Sequence, residues 1–376
     1  MMKICLLGME IFAWGKYGGF GRATRIIGRE LAKRGVEVFA VVPRRKGQKP
    51  IEALDGITVF SFRPNSPWSS IELCRKCDAD IYHSQQPSLG TYFAMRAMPD
   101  RKHIITFRDP KNTADWKIEI GLPSLNKLQV LANYLYEDNF FVTKAVLHAD
   151  GVFCAAEHLV EKVKFKYDLT SVPAFLPTPI AVPKNVKKAN TPTVCFVARW
   201  DRRKRPEIFL ELAHKFQNVN FVGIGEAQNP RWDHYLRKAH SNLPNLEMTG
   251  FIDQFSTNDL SDILERSWVL VNTSIREGLP ISFLEAAANR CAILSGVDPG
   301  GFASRFGYCV EDDNFVEGLE FLLRDERWKE RGEEGYEYIK ETFEMTKAID
   351  KHIGVYEEVL NKELRGSVTG SLTPIV

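Results

Sequence analysis

Five basic residues fall within the seven positions Arg199–Arg205, and the run closes on Pro206. Proline fits the first position of a helix, where its missing N–H is no loss, so the run reads as a loop joining a strand to a helix. A guanidinium that can grip two oxygens and a compact ammonium, brought together there as Arg199 and Lys204, suit a pyrophosphate. Arg202, Arg203 and Arg205 read as surface charge. A second stretch, Ser274-Ile-Arg-Glu277-Gly278-Leu279-Pro280-Ile-Ser-Phe-Leu-Glu285, sets two carboxylates around a glycine and a proline. With Pro280 as the first helical residue, Glu277 lies in the loop above the helix and Glu285 about one turn inside it. The amides of Gly278 and Leu279 can then receive a diphosphate on the helix end, and each carboxylate can accept bonds from sugar hydroxyls. Acidic decoration of a helix N-terminus would explain the carboxylates alone, but not the glycine and proline between them. In a third stretch Gly18, Gly19 and Gly21 precede a helix and offer bare amides to a phosphate. The dinucleotide fingerprint fails, because Thr24 stands where its last glycine belongs; a flexible strand-to-helix loop is an equal reading.

These stretches need rigid elements behind them. Short β-branched runs alternate with helix-length amphipathic segments, the pattern of parallel α/β sheets. Strands are predicted at Lys3–Leu7, Val36–Val42, Ile57–Phe62, Asp80–His83, His103–Phe107, Gly151–Cys154 and Ser171–Phe175. A helix over Arg22–Arg34 has Ala23, Ile26, Ile27 and Leu31 on one face, and a longer helical stretch covers Leu125–His148. The proline-rich run Leu176–Pro192 carries neither pattern and is expected to be a linker. A second series of strands follows at Thr193–Ala198, Asn220–Gly223, Leu246–Thr249, Trp268–Asn272, Ala292–Ser295 and Tyr308–Val310. Helices are expected between them at Glu207–Phe216, Leu260–Glu265, Ile281–Asn289 and Val316–Leu323, and at the end over Ala348–Leu360. Open α/β sheets bind ligands at the carboxyl ends of their strands, which is where all three stretches fall.

The chain has 376 residues, 44% hydrophobic and 26% charged, which suits a globular enzyme of two domains. A net charge of +2 gives no reason to expect nucleic acid as a partner. No apolar run approaches the ~20 residues of a membrane span, and Met1–Gly8 lacks a signal-peptide pattern, so a cytoplasmic location is expected. The seven cysteines lie mostly in apolar runs; Cys74-x-x-Cys77 lacks a second ligand pair and reads as a helix face. Asp78-Ala-Asp80 has the form of a metal-binding motif but precedes a strand, and no metal is expected there. Asp312-Asp313 reads as a helix cap.

Gly18-Gly19, Arg199 with Lys204, and Glu277-x7-Glu285 together resemble the retaining glycosyltransferase family 4. The likeness extends to Gly223-Ile-Gly225-Glu226, Gly250-Phe251, Asp298-Pro-Gly-Gly301 and the closing Val355-Tyr-Glu-Glu-Val-Leu, and covers residues 1 to about 362. The resemblance implies the GT-B fold, two Rossmann-like doubly wound domains facing a central cleft. An N-terminal acceptor domain would span 1–177, a linker 178–192 and a nucleotide-sugar domain 193–347. A helix over 348–362 would cross back, before a disordered tail at 363–376. It implies a nucleotide-diphosphate sugar as donor, an acceptor hydroxyl, and no cofactor or metal. Arg199 and Lys204 would neutralise the leaving diphosphate, Glu277 would hold the donor sugar and Glu285 the ribose. Gly18, Gly19, Gly225, Gly278 and Leu279 would line the donor site, with Phe251 meeting the base through its backbone. Reaction would occur on one face of the sugar, the leaving phosphate oxygen taking the acceptor proton, so that no protein base is required.

One departure stands out: where many relatives carry a histidine, this chain has Arg108, within Thr106-Phe-Arg108-Asp109-Pro110. An always-charged arginine could replace that sugar contact only as a donor. Acceptor recognition is expected in variable loops such as Asn112–Leu122, where Trp116, Ile118 and Ile120 alternate with charge. Lys111, Trp116 and Lys117 are too few to predict attachment to a membrane. A sugar-nucleotide epimerase and a non-catalytic nucleotide-sugar or glycan-binding relative are the competing readings. Loss of either glutamate or of the Arg/Lys pair would favour the binding protein, and all four are present.

Overall fold

A computed structural model describes residues 1–15 and 18–368, with side chains through Asn361. Contacts divide the chain into two units: Met1–Pro110, Tyr134–Pro179 and the chain from Thr346 form the first, Lys111–Asn133 and Ile180–Met345 the second.

The first unit is built on β1 (Lys3–Leu7), α1 (Gly19–Lys33), β2 (Glu37–Pro43), β3 (Ile51–Leu54), β4 (Ile57–Phe62), α2 (Ser70–Cys77), β5 (Ile81–Ser84), α3 (Leu89–Ala97) and β6 (Lys102–Phe107). After an excursion through α4 (Thr113–Gly121) and α5 (Lys127–Glu137), it resumes with α6 (Phe140–Leu147), β7 (Gly151–Cys154), α7 (Leu159–Tyr167) and β8 (Ala174–Phe175). Its eight strands run in the order β3-β4-β2-β1-β5-β6-β7-β8. All pairs are parallel except β3–β4, an antiparallel edge that the sequence pattern did not announce. Ile4, Leu6, Val38 and Ile104 are buried, as expected of strands covered on both faces. The helical stretch expected over Leu125–His148 is two helices. Asn139 breaks it, accepting bonds from the amides of Phe141 and Val142 as the N-cap of α6.

The second unit contains β9 (Thr193–Val197), α8 (Pro206–Lys215), β10 (Asn220–Ile224), α9 (Pro230–Ala239), β11 (Leu246–Gly250), α10 (Asp259–Arg266), β12 (Val269–Asn272) and α11 (Ile281–Ala288). It continues with β13 (Ala292–Ser295), α12 (Phe302–Arg305), β14 (Gly307–Cys309), α13 (Phe315–Leu323) and α14 (Arg327–Thr342). The sheet is wholly parallel in the order β11-β10-β9-β12-β13-β14. Its core packs Val194, Phe196, Trp200, Phe209, Phe221 and Trp268.

The last helix, α15 (Met345–Val368), belongs to the first unit from Thr346 on and runs past the end expected at 362. The remainder of the expected tail, 369–376, lies outside the described residues. Ile349, Tyr356 and Val359 of α15 are buried in one cluster with Ile4, Ile104 and Leu176. A polar chain runs through this contact. Tyr356 Oη meets His83 Nδ1 at 2.8 Å, His83 Nε2 meets Thr106 Oγ1 at 2.7 Å, and His352 Nε2 meets the Pro177 carbonyl at 3.1 Å. Arg108 donates to Thr178 Oγ1 at 2.7 Å and to Gln85 Oε1 at 2.5 Å.

Burial, with the charges of Arg108 and Lys351, pushes His352 down to about 3 against the pull of its bond to Pro177. Burial, His352 and Arg108 likewise hold His83 well below the ordinary imidazole range. Both rings stay neutral in the fold, whereas the unfolded chain takes up protons below about pH 6.5. This contribution to stability is therefore complete above about pH 6.5 and is lost as the pH falls from there. Replacing His352 by glutamine should flatten the loss of stability between about pH 6.5 and 5 by up to ~1.4 kcal/mol per pH unit. Denaturant midpoints across that range check it; an unchanged slope would assign the acid response to other groups.

Candidate active site

The strand order of the second sheet reverses between β9 and β12, so the loops after these strands border the crevice where open α/β sheets take ligands. The β9 loop is fixed at both ends. Trp200 is fully buried, its amide donates to the Glu226 carbonyl at 3.1 Å, and its own carbonyl accepts from Trp232 Nε1 at 3.0 Å. Further on, Thr273 at the end of β12 donates its hydroxyl to the carbonyls of Lys204 and Arg205 at 2.5 and 2.8 Å. Arg205 returns a bond from Nε to the Thr273 carbonyl at 2.7 Å. Its two terminal nitrogens grip Asp313 at 2.6 and 2.8 Å. Arg205 is thus a fastener rather than surface charge. Asp313 is its anchor, and the cap expected at Asp312-Asp313 is Asn314, whose side chain accepts from the Glu317 amide.

The five basic residues of this loop have five different fates. Lys204 pairs with Glu277, which also accepts from Asn272 Nδ2 at 3.3 Å. Asn272 is itself oriented by the Ser274 amide, 3.0 Å from its Oδ1. Arg199 keeps its Nε 3.5 Å from Asp201 Oδ2 with its side chain 32% exposed. Arg203 pairs with Glu119, and Arg205 with Asp313. Arg202 makes no ion pair among the described residues and stacks on Trp232, with Cζ 4.3 Å from the ring centre. Burial alone would raise the Glu277 carboxyl, yet Lys204 and the bonds around it outweigh that and hold it below the ordinary carboxylate value. Burial, reinforced by Arg203 and Arg199, lowers Lys204 despite the carboxylate beside it. The pair is a charged couple in a partly dry loop.

The remaining expected residues are dispersed around it. Pro280 is the N-cap in an extended conformation (φ −63°, ψ 131°), so α11 begins at Ile281, one residue later than expected; the fixed φ of proline serves either position. Gly278 and Leu279 are half-buried in the loop before it, and Glu285 occupies the second turn of α11. Gly225 has φ 128°, and a Cβ there would lie 1.8 Å from the Ala198 carbonyl oxygen; only glycine lets the β10 loop approach the β9 loop so closely. Phe251 follows β11 and is 39% exposed.

In the first unit, α1 opens at Gly19 with Gly18 as its N-cap, and Gly21 is already helical. The amides of Gly18 and Gly21 each donate to Glu10 Oε1 at 3.1 Å, so the anion at this helix end is the chain's own carboxylate. Arg108 is buried and donates from its two terminal nitrogens to Thr178 and Gln85, while its Nε meets no hydrogen-bond acceptor. Asp78 and Asp80 pair with Arg101, and Asp80 also accepts from the Lys3 amide.

The segment read as a variable loop, Asn112–Leu122, is helix α4. Asn112 and Asp115 form a reciprocal capping box, a local signal that overrides the two-residue alternation of Trp116, Ile118 and Ile120. From α4, Asp115 meets Arg276 Nε at 2.7 Å, and Glu119 reaches both Arg276 and Arg203. Sequence reasoning missed these acidic partners because they lie more than eighty positions from their bases, with no spacing to connect them.

Family models give this arrangement its context. Residues 178–338 match the model described as glycosyl transferases group 1, and residues 17–180 that of glycosyltransferase family 4. The chain belongs to the group 1 glycosyltransferases. Among curated proteins none matches it. Among solved structures it is similar to a sucrose-phosphate synthase from Thermosynechococcus elongatus (15% identity, TM-score 0.72, covering 96% of this chain and 100% of that one). Anabaena Alr3699/HepE in complex with UDP-glucose is also similar (13%, 0.67, 96% and 100%). So is the catalytic domain of starch synthase IV from Arabidopsis thaliana bound to ADP and acarbose (12%, 0.64, 96% and 99%). These likenesses show the GT-B fold. No helix among the described residues of this glycosyltransferase is long and apolar enough to cross a membrane.

Thr273→Val keeps the shape of the side chain and removes the hydroxyl that joins the two loops. It should cost about 1–2 kcal/mol, because two half-buried carbonyls lose a donor, while Thr273→Ser should recover most of the loss. Thermal and denaturant melts check this; a valine variant as stable as the parent would mean that Arg205 alone holds the loops.

Proposed function

We propose that this glycosyltransferase moves a sugar from a nucleoside-diphosphate sugar to an acceptor hydroxyl, with retention at the anomeric carbon and without a metal ion. The Lys204–Glu277 pair beside Arg199, at the point where the strand order reverses, carries the reading. An incoming diphosphate competes with Glu277 for the Lys204 ammonium. Once displaced, the carboxylate is free to accept hydroxyl bonds from the donor sugar, so one exchange of partners binds both halves of the donor. Arg199 adds a second cation to the same loop. Two fixed positive charges facing the departing phosphate supply the stabilisation that a divalent ion gives in other transferases. The likeness to a protein solved with UDP-glucose supports a donor of this class.

The same carboxylate suits holding the sugar better than taking a proton. A general base works best with a pKa near the operating pH, and Glu277 is held below even the ordinary carboxylate value. It suits sugar placement, leaving the departing phosphate oxygen to take the acceptor proton on the face it leaves. Glu285 would then meet the ribose, Gly225 and Phe251 the base side of the nucleotide, and Gly278 and Leu279 the diphosphate.

Incubation with a panel of nucleotide sugars, following nucleoside diphosphate release and the anomeric configuration of the product, tests the proposal. Glu277→Gln and Lys204→Ala should each lower turnover by about a hundredfold or more while the protein remains folded. Near-normal rates in either would remove the assignment. Activity should also persist in excess EDTA; its complete loss, restored by magnesium or manganese, would overturn the metal-free mechanism.

A further inference from the structure

The second unit holds an open cavity of about 250 Å³. Asp201, Arg202, Ala227, Asn229 and Trp232 form one wall, and the chain from Gly121, the last residue of α4, to Leu125 forms the other. The transfer chemistry proposed above assigns no role to Asp201, Arg202, Asn229 or Trp232.

Three features of the wall define what it would hold. Asp201 is 2% exposed, and one of its oxygens, Oδ1, accepts from the Gln228 amide at 3.3 Å. Its other oxygen, Oδ2, accepts no hydrogen bond at all, with only Arg199 Nε 3.5 Å away. A buried carboxylate oxygen without a donor is costly, and a ligand hydroxyl would relieve it. The second feature is Arg202, a guanidinium with no carboxylate partner among the described residues, held in place by stacking on Trp232. Such a group presents donors to a phosphate or carboxylate without first having to release another anion. The third is size and shape. The volume is below the roughly 300–1,000 Å³ of pockets for drug-sized molecules, which leaves room for a single ring. A flat nucleobase has no face to stack on, since Trp232 is covered by Arg202 and by Tyr235, whose ring lies 5.5 Å away at 19°.

We infer that this cavity is a binding subsite for an anionic monosaccharide, its hydroxyl donating to Asp201 and its charged group resting on Arg202. A sugar phosphate and a uronate share this chemistry. The inference concerns binding only and stands apart from the transfer reaction, whose failure would show in the nucleotide-sugar assay instead.

Calorimetric titration of the full chain with glucose 6-phosphate, glucuronate, glucose and inorganic phosphate tests it. One of the two anionic sugars should bind at least tenfold more tightly than both glucose and phosphate, and which one it is separates the two sources of charge. Arg202→Ala, at an exposed position, should abolish that advantage while the melting temperature confirms that the protein is folded. Asp201→Asn should weaken all the sugars together. Lys204→Ala should leave the preference within twofold of the parent. The inference is overturned if neither anionic sugar binds, if inorganic phosphate binds equally well, or if the preference survives Arg202→Ala. Loss of the preference in Lys204→Ala would also overturn it, by placing the ligand on the donor cations.

Discussion

A lysine and a glutamate that neutralise each other at the carboxyl edge of the second sheet are the constraint around which that unit is arranged. Leaving either charge alone in a partly dry loop would be expensive, and together they hold the β9 and β12 loops in register. The backbone is committed to the same end. Thr273 bonds two carbonyls of the opposite loop, Arg205 reaches back to Thr273 and forks onto Asp313, and Gly225 admits a third loop where any side chain would collide with Ala198. A rigid frame around this ion pair suits the exchange of partners proposed above, because a frame already in place would bear little cost of reorganisation.

Charge in this loop is apportioned rather than pooled. Of the cations in Arg199–Arg205, two are neutralised by loop or helix acids remote in sequence, one by the site's own glutamate, and one sits at the edge of ion-pair distance from Asp201. That leaves Arg202 on its aromatic support. The acids of α4 are part of this economy: Asp115 and Glu119 hold Arg276 and Arg203, which brackets the Glu277 loop from a segment belonging to the first half of the sequence. Within this loop Arg202 alone meets no carboxylate among the described residues, and Arg199 is the most loosely paired of the other four.

The first unit solves a different problem. Its terminal helix, α15 from Met345, must be tied to a sheet whose strands lie between Lys3 and Phe175, and it does so with apolar burial plus a chain of neutral imidazoles, a phenol and a buried arginine. Arg108 is the instructive case. It follows β6, and its two terminal nitrogens bond Thr178 and Gln85, so the guanidinium takes part in attaching the chain as it leaves β8. At the head of α1, Glu10 similarly occupies amides that the glycines alone would offer to a phosphate.

What the sequence determined by itself was whatever depends on neighbours along the chain. Apolar runs of strand length bounded by glycine and proline located most of the strands, and the Arg199–Pro206 and Glu277–Glu285 stretches located the two loops, because strand burial and helix starts are written within about ten residues. The same local signals carried the family likeness and hence the fold. Local pattern failed where two local codes compete: the capping box at Asn112 made a helix of an alternating segment, and Asn139 divided a continuous amphipathic stretch. Tertiary structure alone decided the partners of each charge. Glu119 for Arg203, Asp313 for Arg205 and Thr178 for Arg108 are pairings across sequence separations that only chain folding closes. An ion pair or a buried hydrogen bond depends on distance and desolvation in space, and neither quantity is encoded in the spacing of residues along the chain.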